Sequence, residues 1–231
     1  MKALVGDLAH SFNNSLAPLA GYTTLLAEDM KPGTPNEQYL GKLEASLRKA
    51  QGFIETILQA THPERHFLPK RVDLTSLLQQ STDAWMKSLP LSAQVSVQTS
   101  VVPCVLWLDE AQWTQAIRHL LQNAQFALTG GGALRLTLEE RVLTPAAAAE
   151  LDLTQTQFYE LTVEDTGCGM APEVLERACE PLYTTRPQAP LTGLGLTLVH
   201  GVVQLHGGQL EIESAEQVGT TVRAWLPAES C

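Results

Sequence analysis

The sequence predicts an α plus α/β protein: an N-terminal helical hairpin forming a dimeric four-helix bundle, then an α/β sandwich. Three observations carry this prediction. Two apolar stripes with helical spacing cover residues 3–30 and 37–60, joined by the turn Lys31-Pro32-Gly33-Thr34-Pro35-Asn36. The pattern then breaks at His62-Pro63-Glu64-Arg65-His66-Phe67-Leu68-Pro69. Beyond the break, short alternating runs are mixed with helical patterns, as in an antiparallel-rich sheet covered by helices on one face.

In the first helix, Val5, Leu8, Phe12, Leu16, Leu19, Tyr22 and Leu26 recur every three or four residues. At about 100° per residue, His10 lies roughly 200° from Leu8 and from Phe12, so it faces away from the stripe. Asn13 and Asn14, three and four residues on, share its surface. The second helix carries Leu40, Leu43, Leu47, Ala50, Ile54 and Ile57, a coiled-coil-like seam. Two such helices cannot bury both stripes alone, and a homodimer closing a four-helix bundle solves the problem. The predicted boundaries are therefore a hairpin over 1–62, a linker over 63–71 and a lobe over 72–231.

Within the lobe, Val72-Asp73-Leu74-Thr75 reads as a strand running into a capped helix that continues to Lys87. Strands are predicted at 94–99 and 106–108, and Asp109 opens a helix carrying Trp113, Ile117, Leu120, Leu121 and Ala124. Residues 134–138 and 159–163 pair as strands, and a helix over 194–205 stops at Gly207-Gly208. Residues 209–214 and 220–226 close the chain as a hairpin. Ala146–Ala149 is too short to count as a low-complexity tract.

Bulk properties exclude several classes. The chain has 231 residues, 44% hydrophobic and 17% charged, with a net charge of −10. An acidic surface binds neither duplex nucleic acid nor anionic lipid non-specifically. No run approaches 18 apolar residues and no signal core opens the chain, so no membrane contact is expected. Cys104, Cys168, Cys179 and Cys231 form no Cys-x-x-Cys pair, which suits a reducing cytoplasm.

Three clusters in the lobe could carry chemistry. His119-Leu120-Leu121-Gln122-Asn123-Ala124 lies on a helix, where an inward amide such as Asn123 needs a partner: a hard cation such as Mg²⁺, or a neighbouring loop. In Val163-Glu164-Asp165-Thr166-Gly167-Cys168-Gly169-Met170, a carboxylate at a strand end precedes two glycines that let the backbone pass close to a flat ligand. In Leu191-Thr192-Gly193-Leu194-Gly195-Leu196, glycines precede a helix whose first N–H groups favour phosphate, with Thr192 and Arg186 as further donors. The spacing is neither Gly-x-x-x-x-Gly-Lys-[Ser/Thr] nor a post-strand Gly-x-Gly-x-x-Gly, so the P-loop and dinucleotide readings fail.

In order and spacing together, these clusters resemble the catalytic core of the two-component sensor histidine kinases. His10-Ser11-Phe12-Asn13-Asn14 is similar to that family's histidine box in the subclass reading His-Asp-Phe-Asn-Asn. His119–Ala124 resembles its asparagine box, and Asp165, Gly167 and Gly169 its first glycine box. Glu180-Pro181-Leu182-Tyr183-Thr184-Thr185-Arg186 resembles the phenylalanine box and Thr192–Leu196 the second glycine box; Gly219-Thr220-Thr221 is similar to the closing strand.

The resemblance implies a dimerisation and histidine-phosphotransfer hairpin followed by a Bergerat-type ATP-binding fold. ATP and Mg²⁺ are the implied cofactors. Asp165 would accept from the adenine amino group, and Asn123 would coordinate the metal. Gly167, Gly169, Thr184, Thr185, Arg186, Thr192, Gly193, Leu194, Gly195, Leu196 and Thr220 would line the nucleotide site. The segment from about Ala171 to Leu191 would be a mobile lid, stiffened by Pro187 and Pro190. A nitrogen of His10 would take the γ-phosphoryl group and pass it to an aspartate on a response regulator receiver domain. Asn14 matches an amide that orients water for dephosphorylating that regulator.

The pattern departs at two positions. Ser11 stands where the family usually has a carboxylate that orients the imidazole. That motivates an alternative: a phosphotransfer module or regulator phosphatase with weak autokinase activity. His119 stands where the asparagine box has its first Asn, and it reads as a helix-surface histidine. It also argues against a chaperone or mismatch-repair ATPase, which would carry a glutamate there.

Overall fold

In the computed structural model, residues 12, 16–27, 35–61, 64, 67–86, 93–101, 103–150, 156–185 and 193–228 are described. The chain divides into two compact units, Met1–Arg65 and His66–Cys231.

The first unit contains helix α1 over 16–27 and helix α2, Pro35–Thr61. Proline at the first position of α2 suits a helix start, where its missing N–H would have no partner in any case. On α2 the predicted seam is buried at Leu40, Leu47, Ile54 and Ile57, whereas Leu43 is exposed. On the first helix, the predicted stripe residues Phe12, Leu19, Tyr22 and Leu26 are exposed and the small Thr23 is buried instead. One chain thus leaves much of the apolar surface of α1 uncovered.

The second unit holds strands β1 (Lys70–Asp73), β2 (Ala93–Thr99), β3 (Val105–Leu108), β4 (Gly132–Val142), β5 (Gln157–Asp165), β6 (Gln209–Ala215) and β7 (Gly219–Pro227). Between them lie α3 (Leu74–Met86), α4 (Glu110–Ala127), α5 (Pro145–Glu150), α6 (Pro172–Leu175) and α7 (Gly195–Leu205). The main sheet has the order β2-β4-β5-β7-β6, with only the β2–β4 pair parallel; β1 and β3 form a separate antiparallel pair. Helix α5 was not anticipated: Pro145 starts it, and the run dismissed as too short folds as helix with Ala148 buried.

Register sorts the sheet into two faces. Cross-strand partners point the same way, so Leu138, Leu161 and Ala224 share one face, as do Leu136, Val163 and Val222; all six are buried. The opposite face carries ion pairs: Arg141 Nε lies 2.6 Å from Glu160 Oε2, and Arg223 pairs with Glu211 and Glu213 at 3.6 and 3.0 Å. The apolar face fits a sheet covered by helices, while the second face combines these ion pairs with the buried Phe158 and Trp225.

Helix α4 starts at Asp109, which is buried and serves as its N-cap. One carboxylate oxygen accepts from the Gln112 N–H at 3.0 Å, and the other accepts from the Leu68 N–H at 2.8 Å. The Asp109 N–H donates to His206 Nε2 at 2.9 Å, so the His206 proton sits on Nδ1 and donates to the Val202 carbonyl at 2.7 Å. Phe67 and Trp113 meet the same ring edge-on, at centroid distances of 5.1 and 5.7 Å. The end of the predicted linker is thereby fastened to the starts of α4 and the end of α7.

His119 is not on the surface. It is 9% exposed, and burial pushes its imidazole down to about 4, so it is neutral near pH 7. The physical reason is that α4 contacts both α3 and α7 as well as β5, and buries Trp113, Ala116, Ile117, Leu120, Leu121 and Ala124 over an arc wider than one stripe.

These buried groups bear on stability. Asp109→Ala should lower the unfolding free energy by about 1–2 kcal/mol, read by urea denaturation. All four tryptophans, Trp85, Trp107, Trp113 and Trp225, belong to the second unit, so their fluorescence reports it. The second prediction concerns pH. Burial lowers the pKa of both His119 and His206, whereas unfolded histidine titrates near 6.5. Between about pH 6.5 and 4 the unfolded chain binds protons that the folded chain refuses, so stability falls as pH falls. His119 accounts for up to about 3 kcal/mol of that loss. Asp165, pushed upward chiefly by burial, works in the opposite sense. The measurement is therefore a comparison: His119→Gln should lose less stability than the parent between pH 7 and 4.5.

Candidate functional site

One end of the second unit gathers most of the described sequence-predicted residues. β5 ends there at Asp165, which is 8% exposed. Its Oδ1 accepts from the Gly167 N–H at 2.8 Å. Burial raises the pKa of this carboxyl, while the N–H groups of Gly167 and Thr220 favour its charged form. In register with β7 it lies opposite Thr220.

The loop after Asp165 is held by the closing hairpin. The Met170 N–H donates to Ser214 Oγ at 2.9 Å, and Ser214 donates to the Gly219 carbonyl at 2.9 Å. With its hydrogen used there, Ser214 accepts from Thr220 Oγ1, also at 2.9 Å. The Gln217 N–H donates to the Cys168 carbonyl at 2.8 Å. At Gly169 φ is +63° and a Cβ would stand 1.9 Å from the Ala215 carbonyl oxygen, so only glycine fits. Ser214 was invisible in the sequence: a serine at a strand end gives no signal of its own.

On α4, Asn123 lies one turn after His119 and is half-buried. Both side chains face the start of α7. A Cβ placed on Gly195 would be 3.5 Å from His119 Nδ1, 3.6 Å from Asn123 Nδ2 and 3.7 Å from Asn123 Oδ1. Leu194, fully buried at the N-cap of α7, supplies no side-chain cap; the first helical bond runs from the Leu198 N–H to the Leu194 carbonyl. Among the described residues no side-chain cap occupies the first turn, whose N–H groups favour an anion. Among the described residues, His119 Nε2 is buried without a hydrogen-bond partner.

Gly193 (φ +67°) closes the site from the other side. A Cβ there would lie 2.6 Å from the Tyr183 carbonyl oxygen and 2.7 Å from the Leu182 carbonyl carbon. The phenylalanine-box-like stretch is thus packed against the second glycine-rich turn. Leu182 itself has φ +66°, an uncommon conformation for a branched residue, and is exposed. The Thr197 hydroxyl donates to the Cys179 carbonyl at 3.0 Å, a tie that sequence reasoning missed. The Arg177 guanidinium lies 4.1 Å from the Tyr183 ring centroid. Thr184 is half-buried and Thr185 exposed in the same stretch, and Leu196 is half-buried in the first turn of α7.

The structure therefore brings together Asp165, Gly167, Gly169 and Thr220 at one side, and Asn123, Gly193, Leu194 and Gly195 at the other. His10, Ser11, Asn14, Arg186 and Thr192 lie outside the described residues. Among the described residues, no group of three or more His, Cys, Asp or Glu side chains could hold a metal ion, and no helix is long and apolar enough to cross a membrane.

Comparison with known proteins gives this geometry a family. Residues 108–230 match the family described as histidine kinase-, DNA gyrase B- and HSP90-like ATPase. The chain is 29% identical over 227 residues to sensor kinase CckA of Brucella abortus, covering 97% of this chain and 24% of that protein. It is 26% identical over 229 residues to sensor histidine kinase ZraS of Escherichia coli K12, covering 97% and 45%. Sporulation kinase B of Bacillus subtilis is 27% identical over 230 residues, covering 98% and 49%. The chain thus spans less than half the length of these curated relatives. Among solved structures, full-length ShkA in complex with AMPPNP matches all of this chain and 47% of its own, with a TM-score of 0.72 and 20% identity. The catalytic domain of histidine kinase ThkA matches 70% of this chain and 96% of its own, with a TM-score of 0.58 and 20% identity. The chain belongs to the histidine kinase-, DNA gyrase B- and HSP90-like ATPases, with sensor histidine kinases as its relatives.

Proposed function

We propose that this chain is the catalytic core of a two-component histidine kinase: residues 1–62 the dimerisation and phosphotransfer hairpin, 63–71 the linker, 72–231 the ATP-binding domain. The observation that carries the reading is the pair of half-sites above. A buried carboxylate at a strand end suits the exocyclic amine of an adenine ring. An amide beside an uncapped helix start suits polyphosphate and its metal. Bound Mg²⁺-ATP would supply the transferable phosphoryl group. The Asn123 side chain, facing the α7 start with no hydrogen-bond partner assigned among the described residues, offers the hard oxygen that Mg²⁺ prefers.

In this reading Asp165 selects the base, and the first turn of α7 holds the phosphates. A ring nitrogen of His10 forms a bond to the γ-phosphorus as the bond to the bridging oxygen breaks, leaving ADP. The second step moves the phosphoryl group to an aspartate of a response regulator receiver domain, regenerating His10. Most of the work is positioning and charge neutralisation. Dimerisation through the hairpin is supported by the exposed Phe12, Leu19, Tyr22, Leu25 and Leu26. The site's placement in a cytoplasmic protein follows from the same reading.

Ser11 favours a second reading of the same fold, in which loading of His10 is slow and Asn14-assisted dephosphorylation of the regulator dominates. Serine can accept a hydrogen bond but brings no charge to orient or polarise the imidazole.

Incubation with γ-labelled ATP and Mg²⁺ tests both readings. Acid-labile label should appear on the chain and vanish in His10→Ala; label that survives this change sinks the kinase assignment. Ser11→Asp should raise the initial labelling rate by about tenfold or more if the missing carboxylate limits loading; equal rates leave the first reading alone standing. Asp165→Asn should weaken binding of a non-hydrolysable ATP analogue by about ten- to a hundredfold, measured by calorimetry.

A further inference from the structure

We propose that Ser214 is a positioning residue for base selection: it fixes the Thr220 hydroxyl as a pure acceptor beside Asp165, so that the site takes a purine with an exocyclic amine and refuses one with a carbonyl oxygen in its place. The proposal rests on the reading of Asp165 as the base-binding carboxylate and adds a residue to it. Asp165 lies opposite Thr220 across β5 and β7, and Thr220 opposite Ser214 across β7 and β6. Cross-strand partners point the same way, so the three side chains form one row on one face at the end of the sheet.

The hydrogens of this row can be assigned. Ser214 Oγ lies 2.9 Å from each of three groups, the Met170 N–H, the Gly219 carbonyl and Thr220 Oγ1. A backbone N–H only donates and a carbonyl only accepts. Ser214 has one hydrogen, so it goes to Gly219, and the hydrogen between the two hydroxyls comes from Thr220. Thr220 Oγ1 then offers a ligand nothing but lone pairs. Beside it, the Asp165 carboxylate receives the N–H groups of Gly167 and Thr220, and it too is an acceptor. Two acceptors side by side match the two hydrogens of an amine. A carbonyl oxygen in the same place meets lone pairs from both and is left unpaired. Backbone packing leaves the row little room to shift. A Cβ on Gly169 would stand 1.9 Å from the Ala215 carbonyl oxygen, and one on Gly219 1.9 Å from the Asp165 carbonyl oxygen. Without Ser214, the Thr220 hydroxyl is free to turn and donate, and the rejection of a carbonyl relaxes.

The test uses the whole chain and the magnesium complexes of ADP and inosine diphosphate, which carry an amine and a carbonyl at the same ring position. Calorimetry of the parent should show a preference for ADP of about a hundredfold or more. Ser214→Ala should narrow that preference by about tenfold, and Ser214→Thr, which keeps the hydroxyl, should retain it. In a Thr220→Val background, adding Ser214→Ala should leave the preference unmoved. Parent that binds neither nucleotide overturns the ATP-site reading itself. Parent that binds both alike overturns selection by this row. Ser214→Ala that weakens both nucleotides by the same factor marks Ser214 as a loop tie only and overturns its role in selection, as does a variant that binds both as the parent does. A further narrowing in the Thr220→Val background overturns the relay through Thr220. Should Ser214→Ala fail to fold, Ser214→Cys, whose thiol is a weak acceptor, takes its place, and an unchanged preference there overturns the proposal.

Discussion

The contact between α4 and α7 across one face of the sheet is the constraint on which the rest of this lobe depends. It sets His119 and Asn123 opposite the first turn of α7, so that an amide, an imidazole and a row of helix N–H groups converge on Gly195. The contact is tied at its far end by His206. That imidazole accepts from the Asp109 N–H at the start of α4 and donates to Val202 within α7. A single buried ring thereby couples the N-terminus of one helix to the C-terminus of the other. The antiparallel run of the two helices then carries the site to the opposite end, where β5 delivers Asp165.

Much of this lobe was legible in the sequence, and the reasons differ by element. Strands β2, β5 and β7 read clearly because alternating and β-branched or aromatic runs mark them in the sequence, although Phe158 and Trp225 are buried on the second face of the sheet as well. Gly169 and Gly193 read as ligand-loop glycines, and each is required by a backbone that a Cβ would strike. Helix α5 did not read, because an alanine run carries helix propensity but no periodic pattern. His119 misled for a different cause. A period of 3.6 residues locates one buried stripe, whereas α4 packs on two helices and a strand, and a residue off the main stripe is buried as well. Ser214 and Thr197 hold the loops through hydroxyls that make contacts far along the chain, which local sequence cannot encode.

The hairpin poses the opposite problem, since its sequence promises more burial than one chain achieves. Leu40, Leu47, Ile54 and Ile57 follow steps of seven, seven and three on α2, and all are buried, while Leu43 between them is not. Two helices share a single seam, so residues flanking it face water at roughly 25 cal/mol for each Å² of apolar surface left uncovered. Tyr22 at 63% exposure and Leu25 at 59% make that cost concrete. A second hairpin laid against the same flank removes it, which is the physical support for reading this unit as half of a four-helix bundle.

On the proposed reading, in which the end of the lobe near Gly195 takes polyphosphate, the described groups there share one property that bears on turnover. Asn123, His119 with its depressed pKa, and the first-turn N–H groups of α7 are all neutral donors or acceptors. Neutral donors bond a phosphate oxygen but bring no counter-charge of their own, unlike Lys or Arg. A polyphosphate held this way depends on its own metal for charge neutralisation, and on the helix macrodipole for orientation. Loss of the terminal phosphoryl group removes both charge and metal ligands at once, so binding weakens once transfer is complete. Under the proposed kinase reading, the described neutral groups would hold the loaded nucleotide more tightly than the spent one, as a core that reloads after each transfer needs.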